Sequence, residues 1–243
     1  LVGLEGTSLR QKELSVFKKL SPSGVVLFSR NIPKDDYSKV QFLIKALQKL
    51  ANEISIPPFI ISVDQEGGRV SRLPSPFPNE GPAMFLEEQK IDAVALNNIK
   101  AYGYQVGINL KNLGFNLNFA PVCDVLSNKN NKAIGDRAFS NDTPNALVRA
   151  KAFLEGLQDA QVYGCLKHFP GQGAALEDTH EGSAIITDDY DNLYKRDIIV
   201  FEKLIPLTNF IMISHCIYTA LDSSNPASLS SLIIKDLLRC KLK

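Results

Sequence analysis

Val162-Tyr163-Gly164-Cys165-Leu166-Lys167-His168-Phe169-Pro170-Gly171-Gln172-Gly173 decides how the rest of this chain is read. Its first half is a short, nearly unbroken apolar run, the pattern of a strand covered on both faces of a sheet. Its second half reads as a loop, because proline and glycine neither continue a helix nor sit in a central strand. Between the halves stand a lysine and a histidine. Polar residues at the carboxyl end of a buried strand are where α/β proteins build their sites.

The same pattern repeats in both directions. Short apolar runs at Leu1–Leu4, Gly24–Phe28, Phe59–Val63, Asn116–Val122, Tyr163–Leu166 and Phe210–Ser214 predict six strands. Helical stripes lie between them: Val40, Leu43, Ile44, Leu47 and Leu50 in one; Ala95, Ile99, Tyr102, Val106, Leu110 and Leu113 in another, ended by Gly114. A third stripe, Leu147, Ala150, Leu154 and Leu157, follows Thr143 as N-cap and Pro144 as first helical residue. These stripes are core. Repeated strand–helix units imply parallel strands with right-handed crossovers. Ser29-Arg30-Asn31, Asp64 to Arg69, Asp124, Lys167-His168 and His215 each follow a strand. A doubly wound sheet also gathers its site at strand ends, but it does so at one switch point, and no Gly-x-Gly-x-x-Gly follows the first strand. The pattern favours a TIM (β/α)8-type barrel with about six βα units in this chain.

Composition narrows the function classes. The 27 basic and 26 acidic residues nearly cancel, leaving no electrostatic footprint for nucleic acid or an anionic membrane. The longest apolar runs are far too short to cross a bilayer. Cys123, Cys165, Cys216 and Cys240 show no Cys-x-x-Cys spacing, and three sit in apolar runs, which reads as reduced thiols in a reducing compartment. The chain opens at Leu1 rather than Met, so the lack of a targeting segment says little. No linker or charge block divides residues 1–243, which read as one domain.

Several motifs carry chemistry. In Val63-Asp64-Gln65-Glu66-Gly67-Gly68-Arg69-Val70-Ser71-Arg72, Asp64 and Arg72 could hold sugar hydroxyls, or could close a loop as an ion pair. Arg137, within Ile134-Gly135-Asp136-Arg137-Ala138-Phe139, is either a planar donor aimed inward or a solvated surface residue. His168 could be structural, but Lys167 beside it and the fixed Phe169-Pro170-Gly171 exit point to substrate binding. Asp178-Thr179-His180 places a carboxylate two residues from an imidazole, so one can orient the other for proton transfer. Metal ligation fits poorly, since three histidines are scattered over three loops without a ligand spacing.

Together these motifs resemble the catalytic barrel of glycoside hydrolase family 3, in its bacterial β-N-acetylglucosaminidase branch. The similarity is carried, in order, by Gly24–Asn31, Val63–Val70, Asn118–Val125, Gly135–Phe139, Lys167–Gly171, Asp178–His180 and Pro226–Ser230. It implies a retaining hydrolase that removes terminal β-N-acetylglucosamine from peptidoglycan fragments, muropeptides or related oligosaccharides, without cofactor or metal, in the cytoplasm. It further implies His180 as acid/base, Asp178 as its partner, and Asp64, Arg72, Arg137, Lys167 and His168 as the sugar's holders. Gln172 stands where the family usually has histidine, and Thr179 replaces its common serine.

The family's nucleophile, an aspartate ending the seventh strand, has no counterpart here. The sixth strand is followed by Ser228–Leu238, a predicted helix, and Asp222 falls in a loop that the family shares. The expectation is an N-terminal barrel domain truncated before its seventh strand, with the binding half and proton donor but no covalent catalyst. Two other readings accompany it: a fragment or degenerate copy that binds the sugar without hydrolysing it, and an N-acetylglucosaminide phosphorylase.

Overall fold

The computed structural model describes residues 1–77, 79, 83, 91–175 and 184–242. In chain order the elements are β1 (Val2–Gly3), α1 (Gln11–Leu20), β2 (Gly24–Val26), α2 (Ser38–Glu53), β3 (Ile60–Val63), β4 (Gln65–Gly67), β5 (Val70–Ser71), α3 (Ala93–Leu113), β6 (Leu117–Asn118), α4 (Thr143–Asp159), β7 (Tyr163–Phe169) and β8 (Ile185–Ile186). There follow α5 (Tyr190–Leu193), a π-type turn (Tyr194–Ile198), α6 (Ile199–Leu204), β9 (Phe210–Ile213), β10 (Ile217–Tyr218), β11 (Asp222–Pro226) and a wide-turned helix (Leu232–Leu242).

Six strands pair in parallel, in the order β1-β2-β3-β6-β7-β9. Each strand lies beside the next one in the chain, with helix between, so the order never reverses. A doubly wound sheet reverses at its switch point, whereas a barrel does not. The sheet is thus a partial TIM-type α/β barrel, and all six expected strands are in it. Two differ in extent: β6 is shorter than its apolar run, and β7 runs on to Phe169, so Lys167 and His168 lie within the strand.

The helices bury the stripes read from the sequence, except that Leu147 of α4 is only partly buried. Val40, Leu43, Ile44, Leu47 and Leu50 of α2 are at most 4 % exposed, and the α3 stripe is buried throughout. Gly114 ends α3 in the left-handed region, with φ +101°. Helix α4 is capped one residue earlier than expected: Asp142, not Thr143, is the N-cap, and its carboxylate accepts from the Asn145 N–H at 3.2 Å. A carboxylate at that point also suits the helix dipole. The helices α3 and α4 pack backbone to backbone, because a Cβ on Gly156 would strike the Lys100 carbonyl and one on Gly103 the Phe153 carbonyl. The helix expected over Ser228–Leu238 begins instead at Leu232, after a single tight turn at Ala227–Leu229.

Two small sheets stand beside the large one. Strands β4 and β5 form a bulged antiparallel hairpin whose turn uses Gly67 and Gly68 at φ +109° and +57°. Strand β10 pairs parallel with β8 and antiparallel with β11. Neither sheet shows in the apolar pattern. The β11 residues Asp222-Ser223-Ser224-Asn225-Pro226 read as a turn, and pairing to β10 extends them.

Candidate active site

Strand β3 ends at Val63, and the hairpin that follows is fixed from the neighbouring strand. The buried Asn118 of β6 accepts from the Gln65 N–H at 3.0 Å and donates to the Gln65 carbonyl at 2.8 Å. The Gln65 side chain in turn accepts from the backbone N–H groups of Arg72 and Leu73, at 2.8 and 3.0 Å. This pins both ends of the hairpin and turns Asp64 and Glu66 toward β7.

Lys167 of β7 meets them there. Its ammonium lies 2.8 Å from Asp64 Oδ1 and 2.5 Å from Glu66 Oε1, with the lysine side chain 1 % exposed. Glu66 also takes a two-pronged contact from Arg137, Nε at 2.9 Å and Nη2 at 2.8 Å. Arg137 rides on a single turn, Gly135–Arg137, and donates through Nη1 to the Ala133 carbonyl. Two cations thus face two carboxylates, a balanced set that can be buried without net charge. Burial alone would raise the Glu66 carboxyl, but Lys167 and Arg137 outweigh it and hold it at about 2.

His168 stands beside this network on a second carboxylate. Its Nδ1 is 2.7 Å from Asp124 Oδ2, while Asp124 Oδ1 accepts from the Gln172 N–H at 2.7 Å and the His168 N–H at 3.2 Å. The other ring nitrogen, Nε2, is 3.5 Å from Arg137 Nη2. A guanidinium only donates, so in this contact Nε2 can serve only as the acceptor, while the Nδ1 side of the ring faces the Asp124 carboxylate.

Asp64, Arg137, Lys167 and His168 line an open cavity of about 490 Å³, together with the apolar side chains of Val26, Phe28, Phe119, Met212 and Ile213, while Glu66 and Asp124 stand behind them. Such a cavity suits a small hydroxyl-rich ring, apolar on one face and hydrogen-bonding at its edge. A second cavity of about 430 Å³ lies at the opposite end of β7, and Tyr163 is its only titratable lining residue. The chemistry belongs to the first.

Of the residues singled out from the sequence, Asp64, Arg72, Arg137, Lys167 and His168 all line the one cavity. Asp64 and Arg72 do not close a loop as an ion pair. Asp64 binds Lys167, and the nearby Arg69 is the residue paired to a loop carboxylate, Asp136, at 2.9 Å. Arg137 is turned inward, its side chain 15 % exposed. Asp178 and His180 lie outside the described residues. Asp222 is not a cavity residue: its carboxylate accepts from Ser230 Oγ at 2.7 Å and from the Ser224 and Asn225 N–H groups, which hold it at about 2. Among the described residues, no group of three or more His, Cys, Asp or Glu could hold a metal ion. Nor, among the described residues, is any helix long and apolar enough to cross a membrane. All four cysteines are free thiols, and Cys123, Cys165 and Cys216 are buried.

Three site residues lay outside the set chosen from the sequence. Glu66 sits in a glycine-rich turn, where a carboxylate resembles any surface acid. Asp124 follows a strand, but nothing local says that its partner is 44 residues away. His215 lines the cavity at the end of β9, its Nδ1 2.8 Å from Ser228 Oγ. The shared signal was position at a strand's carboxyl end.

Comparisons with known proteins identify the family. A family model described as the Glycosyl hydrolase family 3 N terminal domain matches residues 3–243. A Beta-hexosaminidase of Actinobacillus succinogenes is 36 % identical over 251 residues, covering 100 % of this chain and 68 % of its own length. A glycoside hydrolase family 3 beta-N-acetylglucosaminidase from Paenibacillus superposes with a TM-score of 0.92 at 30 % identity, over 99 % of this chain and 45 % of that one. NagZ from Neisseria gonorrhoeae, in complex with N-trifluoroacetyl-D-glucosamine, gives 0.91 at 26 % identity, over 99 % and 70 %.

Proposed function

The chain belongs to glycosyl hydrolase family 3 over residues 3–243, and on that premise we propose that its cavity grips a terminal β-linked N-acetylglucosamine for hydrolysis. The observation that carries this is the single network joining Asp64, Glu66, Lys167, Arg137, His168 and Asp124 beside a cavity with apolar side chains in its lining. The protein is a glycoside hydrolase of the β-hexosaminidase kind. Asp64 accepts from sugar hydroxyls, and Arg72, Arg137 and Lys167 donate to hydroxyl or carbonyl oxygens. His168 Nε2 gives up its long contact with Arg137 to accept from one further sugar hydroxyl, and Glu66 and Asp124 hold these groups in place. Preformed placement of this kind lowers the entropy cost of fixing the substrate.

His180 delivers the proton to the leaving oxygen, and Asp178 orients it. A retaining reaction also needs a carboxylate nucleophile. Asp64, Glu66 and Asp124 are each committed to a cation or an imidazole, and Asp222 to its turn, so the nucleophile comes from outside the described residues. The sheet itself we take as six of the eight strands of a barrel domain. The substrates in this reading are muropeptides and other N-acetylglucosamine-ended fragments of peptidoglycan. The free thiols suit a reducing cytoplasm.

The test is turnover of an aryl N-acetyl-β-glucosaminide by the full-length protein, with the matching β-glucoside as control. Cleavage of the first in clear preference to the second is expected. His180→Ala lowers kcat by about a hundredfold or more with KM little changed, the size usual for a proton donor. Absence of turnover, or equal rates on the two glycosides, would reject the reading.

A further inference from the structure

Arg137 reaches the cavity from a segment with little regular structure, so whatever holds that segment decides where its guanidinium stands. The inner side is held by the buried Asn131. Its amide donates to the Gln172 carbonyl at 2.8 Å and accepts from the Ile134 N–H at 2.9 Å. The outer side is held by Arg69, from the turn between β4 and β5. Its Nη2 donates to the carbonyls of Lys132 at 2.8 Å, Ala133 at 2.8 Å and Ile134 at 3.2 Å. Its Nε meets Asp136 Oδ1 at 2.9 Å.

This contact has the chemistry of a capped helix end. Successive carbonyls ahead of a left-handed glycine, here Gly135 at φ +46°, converge as they do at a helix C-terminus, where a cation is favoured. The cap is itself held in place, because the Asn79 amide bonds both the N–H and the carbonyl of Gly68, at 2.6 and 3.1 Å. Arg137 then shares one of the capped carbonyls. Its Nη1 donates to Ala133 at 2.9 Å, while Nε and Nη2 grip Glu66 at 2.9 and 2.8 Å. Ala133 is thus the joint between the two arginines. If its carbonyl swings away, Arg137 keeps only the Glu66 fork and its donors move relative to His168.

We propose that Arg69 is a positioning residue of the sugar cavity: by capping the carbonyls of residues 132–134 it fixes the Ala133 carbonyl, and through it the Arg137 donors that meet the sugar. The effect on catalysis rests on the function proposed above. The pairing with Asp136 is secondary, since both side chains are 46 % exposed and a solvated ion pair is worth little. The fork matters more than the charge. A lysine at this position would bring one ammonium to a place where two separate guanidinium nitrogens are used.

The experiment compares Arg69→Ala and Arg69→Lys with the unaltered full-length protein on the aryl N-acetyl-β-glucosaminide. Arg69→Ala should raise KM about tenfold or more with kcat little changed, the pattern of lost binding common to ground and transition states. Arg69→Lys should fall between the two, and it carries the test if the alanine variant does not fold. Arg69 lines the cavity itself, so a second readout is taken on the sugar-free protein, where turnover plays no part. In nitrogen-15 NMR the Arg137 Nε–H, held by Glu66, should be sharp and slow to exchange in the unaltered protein and shifted and faster in both variants. An unmoved KM would overturn the proposal, and a lowered Tm with KM unmoved would mean a structural role alone. A raised KM with an unmoved Arg137 signal would overturn it too, because Arg69 would then be touching the sugar directly. No turnover by any of the three proteins would sink the hydrolase reading and leave Arg69 to the NMR.

Discussion

Glu66 shows how one residue can support a site without facing its ligand first. Its side chain is 6 % exposed and holds Lys167 and Arg137 at once. Its carboxyl lies at about 2 against an ordinary 4.5, so it stabilises the fold fully above pH 4.5 and loses that contribution as pH falls toward 2. The contribution is on the order of 3 kcal/mol. Glu66→Gln should therefore lower Tm most at pH 5 and above, with the gap to the unaltered protein closing toward pH 2; a constant gap across that range would contradict it. The sequence disclosed Asp64, Lys167 and His168 because they end buried strands. It did not disclose that Lys167 reaches across 103 residues to Asp64, since that pairing depends on strand register.

Elements were legible where burial imposes a period. The stripes of α2, α3 and α4 and the six apolar strands all follow from side chains that must leave water. What escaped was decided by tertiary contact: β10 and β11 pair in polar sequence, and Asp142 caps α4 because its carboxylate reaches the free N–H of Asn145. The closeness of α3 and α4 was hidden as well, since a glycine inside a helical stripe looks like a local weakness. Here Gly156 and Gly103 let the backbones touch. Gly156→Ala gains helix propensity but drives a methyl into the Lys100 carbonyl. The net cost is about 1–3 kcal/mol, or a Tm drop of about 2–4 °C for each, read by thermal melting; an unchanged or higher Tm would refute the contact.

At the scale of the molecule, strand order was the decisive inference, and it came from where polar residues stand along the chain. Sheet extent was less legible, because an apolar run does not say what lies beside it. Phe210, Ile211, Met212 and Ile213 of β9 are all only partly buried, although they form the most apolar of the strand runs. Among the described residues, β9 has no partner on its outer side. Produced as residues 1–243 alone, the protein should self-associate with rising concentration and bind a hydrophobic dye. A dye-silent monomer in sedimentation at about 100 μM would count against that. The sheet has a kinetic consequence too. Lys167 meets its carboxylates only once β3, β6 and β7 have docked in register, so no early collapsed form can hold the pocket. Contacts so distant in sequence form slowly. During refolding, sugar affinity should return with the last strand pairing, well after the helices have regained their far-UV signal.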